Sequence, residues 1–194
     1  MFLIGPDDAL IVVDVQNDFC AGGALAVPNA ERILENVNRL LPRFRHVLAT
    51  KDWHPANHAS FQAQGGPWPP HCLQGASGAD LHPALDAKLI QVVIHKGEGL
   101  RAPGYSGFEA TELAAELRRR GVTRVFTCGL ATDYCVRATT LAARQEGFAA
   151  VAVTDAMAAV DVNPGDGQRA LGEMQAAGAD LATTEDVGHA AASF

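Results

Sequence analysis

The sequence predicts an α/β protein in which a parallel sheet lies between two layers of helices, a three-layer α/β/α sandwich. Two observations carry this. Short, β-branched runs alternate with longer stretches of helical periodicity, and those runs are continuously apolar, as strands covered on both faces are. In chain order, "ALIVVDV" (9–15) is the first strand. A helix over 29–41 follows, with Ile33, Leu34, Val37, Leu40 and Leu41 on one face and Asn29 as its N-cap. "HVLAT" (46–50) and "LIQVVIH" (89–95) are the next strands. A helix over 109–120 stops at Gly121, and "RVFTCG" (124–129) is the fourth strand. A helix over 132–146 stops at Gly147 before "FAAVAVT" (148–154), a helix covers 164–177, and "ADLATT" (179–184) is a weaker sixth strand.

The one long connection, 51–88, breaks the short-loop pattern. It holds Pro55, Pro67, Pro69, Pro70 and Pro83 and four of the seven histidines. A connection of that length inside a compact unit is usually functional.

At 194 residues the chain is long enough for one well-buried core and short for two, so a single domain over residues 1–194 is expected. The hydrophobic share of 48% with 19% charged residues is that of a globular protein rather than a disordered one. A net charge of −7 with 15 Lys and Arg argues against a nucleic-acid surface, which needs concentrated positive charge. No apolar run reaches the roughly 18 residues of a membrane span, and the start lacks the basic region of a signal peptide. A cytoplasmic protein with no membrane partner is expected. Cys20, Cys72, Cys128 and Cys135 are spread out with no C-x-x-C pair, which fits reduced thiols better than a disulfide framework. "GEGLRAPG" does not fit a phosphate-binding loop and no G-x-G-x-x-G opens a helix, so no nucleotide cofactor is expected.

Function in an open parallel sheet collects beyond the carboxyl ends of the strands. Asp14 ends the first strand, Lys96 follows the third and Cys135 follows the fourth. Each has a plain structural reading: a turn aspartate, a solvated lysine, a core cysteine. Together they suit acyl transfer. Lys96, as a neighbouring cation, favours the Cys135 thiolate, as does a place in the first turn of a helix. Asp14 can take the thiol proton and return it to a departing amine. Backbone N–H groups of the 131–135 turn can then hold the oxyanion.

A second set, Asp52, His54, His58 and His71, follows the second strand in "KDWHPANH" and "WPPHC". One carboxylate and two or three imidazoles suit zinc, iron(II) or manganese(II). If His58 is a ligand the site is nearly closed; if it only braces one, positions stay open for water or substrate. Histidines that merely pack a proline-rich loop are the plain alternative.

These segments resemble, over nearly the whole chain, the nicotinamidase/pyrazinamidase family of the isochorismatase-like cysteine hydrolases. "VDVQNDFCAGGALAV", "TKDWHPANHASF", "WPPHCLQGASGADLHP", "KG", "YSGF" and "GLATDYCV" occur in order at family-like spacings. The resemblance implies a six-stranded, Rossmann-like parallel sheet and hydrolysis of nicotinamide to nicotinate and ammonia through a thioester, in NAD salvage, with pyrazinamide as a second substrate. It implies Asp14, Lys96 and Cys135 as the catalytic triad, and Ala131 and Cys135 amides as the oxyanion hole beside a cis Leu130–Ala131 bond. Asp52, His54 and His71 would bind one divalent transition metal, zinc before iron(II) or manganese(II), and His58 is a ligand in some members only. Phe19, Trp68 and Tyr105 would line the ring pocket. Tyr134 falls at a position that varies in the family and bears on pocket shape. A homo-oligomer is compatible with all of this. The competing readings are an amidohydrolase of carbamoyl or ureido substrates, which generally lacks the metal set, and a thiol- or metal-responsive binding module, which has no need of Lys96. Isochorismatase itself is disfavoured by Cys135.

Overall fold

The structure, a computed structural model, describes residues 1–101 and 103–189. Ala102 and the last five residues of the expected 1–194 domain lie outside the described residues. In chain order the elements are β1 (Phe2–Ile4), β2 (Asp8–Val13), α1 (Leu34–Leu40), β3 (His46–Asp52), β4 (Val92–Lys96) and α2 (Leu113–Arg119). Then come β5 (Arg124–Leu130), α3 (Arg137–Gln145), β6 (Ala149–Ala158), α4 (Asp166–Ala176), β7 (Asp180–Ala182) and β8 (Val187–His189).

Six strands form one parallel sheet in the order β4-β3-β2-β5-β6-β7. The order reverses between β2 and β5, so the crevice at their carboxyl ends is the topological switch point. Every residue of β2 is buried, because alternate side chains enter opposite layers. Leu10 and Val12 pack with Val47, Phe126 and α1 residues Val37 and Leu40 on one face. Ala9, Ile11 and Val13 pack with Leu48, Leu113, Leu117 and Met174 on the other. The three layers follow from that division.

The helices are shorter at their starts than periodicity suggests. Asn29 does not act as an N-cap: its backbone is left-handed (φ 60°), its side chain makes no cap bond, and residues 30–33 form a 3₁₀ turn before α1. The two expected stops hold. Val122 N–H reaches Leu117 O at 3.0 Å and Phe148 N–H reaches Ala143 O at 3.0 Å, each around a glycine with positive φ, the usual closure of a helix C-terminus. Strand β6 runs to Ala158, past the expected end at 154, through a register shift against β5 between Thr127 and Gly129. The parallel pair of β1 and β8, three residues each, lies outside the expected sheet.

Candidate active site and metal centre

Four strand ends supply the site. Asp14 directly follows β2, Asp52 and Lys96 close β3 and β4 as register partners, and Cys135 lies five residues past β5. Because register partners point the same way, Lys96 Nζ donates to Asp52 Oδ1 at 2.5 Å. The same ammonium lies 2.8 Å from Asp14 Oδ2 and donates to Gly104 O at 2.9 Å and to Cys135 Sγ at 3.3 Å. Thr50 Oγ1 donates to the other Asp14 oxygen at 2.6 Å. Asp14 and Lys96 are both buried, 0% and 1% exposed, so each charge depends on its partner.

The turn that carries Cys135 differs from the expected first turn of an α-helix. Leu130–Ala131 is a cis bond, as the resemblance implies, and residues 132–136 form a π-helical turn in which Val136 N–H reaches Ala131 O at 3.0 Å. Asp133 does not cap α3. Its carboxylate accepts from the N–H groups of Val160 (2.9 Å) and Asp161 (2.8 Å), tying the turn to the chain beyond β6.

Electrostatics also depart from the sequence reading at one point. Lys96 does pull the Cys135 pKa down, but burial pushes it up more strongly, aided by Asp14 and Asp52, and the thiol stands well above its ordinary value. Burial likewise raises Asp14, against the pull of Lys96. Burial opposes the charge on Lys96, but Asp14 and Asp52 outweigh it and hold the ammonium charged. That balance favours the neutral thiol of Cys135 over its thiolate, so chemistry at this sulfur calls for a base close by, a role open to the neighbouring Asp14 carboxylate.

Beside this group, Asp52, His54 and His71 bring one ligand atom each within 4.8 Å of one another. Asp52 Oδ2 faces His54 Nε2 at 3.5 Å and His71 Nε2 at 4.0 Å. Nδ1 of His54 donates to Gly97 O (2.9 Å) and Nδ1 of His71 to Pro69 O (2.8 Å). A carbonyl can only accept, so Nδ1 carries a proton in both rings, and the neutral form of each turns a bare Nε2 toward the carboxylate. Burial lowers the His71 pKa, which keeps that ring neutral. Burial works against the Asp52 carboxylate, but the Lys96 ammonium holds its pKa well below the usual range. In that form three lone-pair donors converge, a set that fits a divalent N/O-ligated cation.

The converging ligand atoms belong to Asp52, His54 and His71 and not to His58. The His58 ring stacks on His54 with centroids 4.0 Å apart, and its Nδ1 lies 2.7 Å from Ser60 Oγ.

An apolar pocket opens onto both groups. Phe19, Trp68 and Tyr105 line it with Ala131, Cys135, Asp52 and His71. Trp68 Nε1 donates to Tyr105 Oη at 2.9 Å, fixing two loops across the opening. Tyr134 lines it too, 5.0 Å from the Trp68 ring. Sequence reasoning passed over Thr50 and Asp133, whose only signal is a polar side chain in an otherwise apolar or turn-forming run.

Residues 8–186 match the isochorismatase domain family. This chain belongs to the isochorismatase family. Within that family it is 43% identical to the nicotinamidase of Escherichia coli, over 93% of this chain and 97% of the relative. The structure of PnC1 from L. infantum in complex with nicotinate superposes with a TM-score of 0.92 at 39% identity, covering 97% of this chain and 99% of that one. A zinc complex of pyrazinamidase from Pyrococcus horikoshii superposes at 0.82 with 45% identity, covering 92% and 99%. Isochorismatase-family membership and the six-stranded sheet agree with the sequence reading.

Proposed function

We propose that this protein is a cytoplasmic, single-domain nicotinamidase that hydrolyses nicotinamide to nicotinate and ammonia, with pyrazinamide as a second substrate and zinc as its metal. One observation carries the reading: the acyl-transfer group of Cys135, Lys96 and Asp14 and the ligand group of Asp52, His54 and His71 face one apolar pocket and share Asp52. The names of its family relatives support the same substrate.

Phe19, Trp68 and Tyr105 offer apolar faces to a planar ring. Asp14 takes the thiol proton as Cys135 Sγ bonds to the amide carbon. The backbone amides of Ala131 and Cys135 receive the oxyanion, and Lys96 keeps the carboxylate and sulfur in place. Collapse breaks the C–N bond while Asp14 returns the proton to nitrogen, releasing ammonia. Asp14 then deprotonates water for attack on the thioester, which frees nicotinate and restores the thiol. When bound to Asp52, His54 and His71, the metal supplies a Lewis-acidic point for a pyridine nitrogen.

The test is ammonia release from nicotinamide by zinc-loaded protein, beside Cys135→Ala and an N-carbamoyl amino acid as competing substrate. Turnover of nicotinamide by the wild type alone, with an acyl adduct on Cys135 by mass spectrometry, is expected. Preference for the carbamoyl compound would overturn the substrate assignment.

A further inference from the structure

Strand β2 ends at Val13, directly before Asp14, but its neighbour β3 continues to Asp52. The last regular bond between them runs from Asp14 N–H to Thr50 O at 3.2 Å. In a parallel ladder the next two bonds would join Asp52 N–H to Asp14 O, and Gln16 N–H to Asp52 O. Neither forms. Asp14 takes a positive φ of 49°, the chain turns, and Asp14 O instead accepts from Gln16 N–H at 2.8 Å.

The side chain of Gln16 supplies both missing bonds. Its Oε1 accepts from Asp52 N–H at 2.8 Å and its Nε2 donates to Asp52 O at 2.9 Å. The second Nε2 proton goes to Ala79 O at 3.0 Å. Gln16 is wholly buried, and a primary amide is the only side-chain group that matches a peptide unit in both donor and acceptor. The bend that presents the Asp14 carboxylate to Cys135 would leave the Asp52 backbone unpaired without this substitute.

We infer that Gln16 is the positioning residue of the metal centre: its amide extends the sheet by one side chain and fixes the Asp52 backbone, so that Oδ2 is held toward His54 and His71 while Oδ1 holds Lys96. The inference rests on the metal-dependent reading above. It adds a residue that touches neither metal nor substrate.

The experiment measures the zinc dissociation constant of purified full-length protein by chelator competition. Gln16→Met keeps length and burial and removes both bonds to Asp52. Gln16→Glu keeps an acceptor for Asp52 N–H and loses both donors. Weakening of zinc binding by about 10–100-fold is expected in either variant, the range for removing a group that orients a ligand. Asn17→Ala, which removes a bond to Ser77 O in the same turn, is the control and should bind zinc as the wild type does. A purely structural role would lower the melting temperature and leave the zinc affinity of the folded variant unchanged, and that result in whichever variant folds overturns the inference. Wild-type protein that binds no zinc, iron(II) or manganese(II) would overturn the metal reading itself and this inference with it.

Discussion

Asp52 and Lys96 end adjacent strands and meet at 2.5 Å, and the Asp52 oxygen that Lys96 leaves over faces His54 and His71. One carboxylate therefore belongs to both halves of the site. Replacing Asp52 by Asn keeps the shape and removes the charge. Zinc binding should fall by more than the about 10–100-fold typical of an outer partner, and excess zinc should restore only part of the activity because Lys96 has lost an anion. Elemental analysis after dialysis checks the first point. A full zinc complement in Asp52→Asn would remove Asp52 from the ligand set.

Lys96 favours the Cys135 thiolate, against burial and two carboxylates. Its replacement by Met should therefore move the pH profile of Cys135 alkylation to higher pH, since the charged form loses its cation. Turnover should fall by about 10²–10³-fold, as when one charge-stabilising donor is lost. An unmoved profile would give Lys96 another role.

Thr50→Val is nearly isosteric and leaves Asp14 Oδ1 without its hydroxyl donor. That bond lowers the Asp14 pKa, so its loss raises it. Asp14 must be ionised to accept the thiol proton, so the acidic limb of kcat/KM should shift to higher pH. A stability loss of about 1–3 kcal/mol should accompany it, measured by urea unfolding, because a buried acceptor is left unpaired. A stable variant with an unchanged limb would mean that Thr50 does not tune Asp14.

Benzamide has the ring and amide of nicotinamide and no ring nitrogen. If the metal orients the substrate through that nitrogen, benzamide should lose about tenfold in kcat/KM for each 1.4 kcal/mol of orientation forgone. Metal-free protein should treat the two amides alike. Equal values with zinc bound would assign the metal a structural role.

Much of this was legible in the sequence. Continuous apolar runs marked five strands of the main sheet and a weaker pattern the sixth, and Asp14, Lys96 and Cys135 stood out because reactive residues followed three of those runs. The structure adds what periodicity does not encode. Three-residue strands such as Phe2–Ile4 and Val187–His189 are too short to show a period. Asn29 has the residue type of a cap but a left-handed backbone that denies it the role. Asp133 lies at the start of the helix expected over 132–146, yet its carboxylate serves two amides 27 and 28 residues away. Gln16 lay in a quoted motif without a role, because its partner is the backbone of a residue 36 positions on. The Cys135 environment was misjudged in balance: the cation was visible in sequence, the depth of burial was not.

The two halves of the site are anchored differently. Asp14, Lys96 and the turn of Cys135 hang from strand ends of the one sheet, and Gly129 sits so close to β2 that a methyl group there would lie 2.1 Å from Val13 O. His54 and His71 ride on the long connection between β3 and β4, held mainly by short turns and isolated bridges to Leu73 and between Phe61 and Trp68. Such a segment opens at lower free energy than a central sheet. Mild denaturant or warming should thus release the metal while the sheet and its thiol remain protected from exchange, and re-cooling with zinc should return activity without refolding the core.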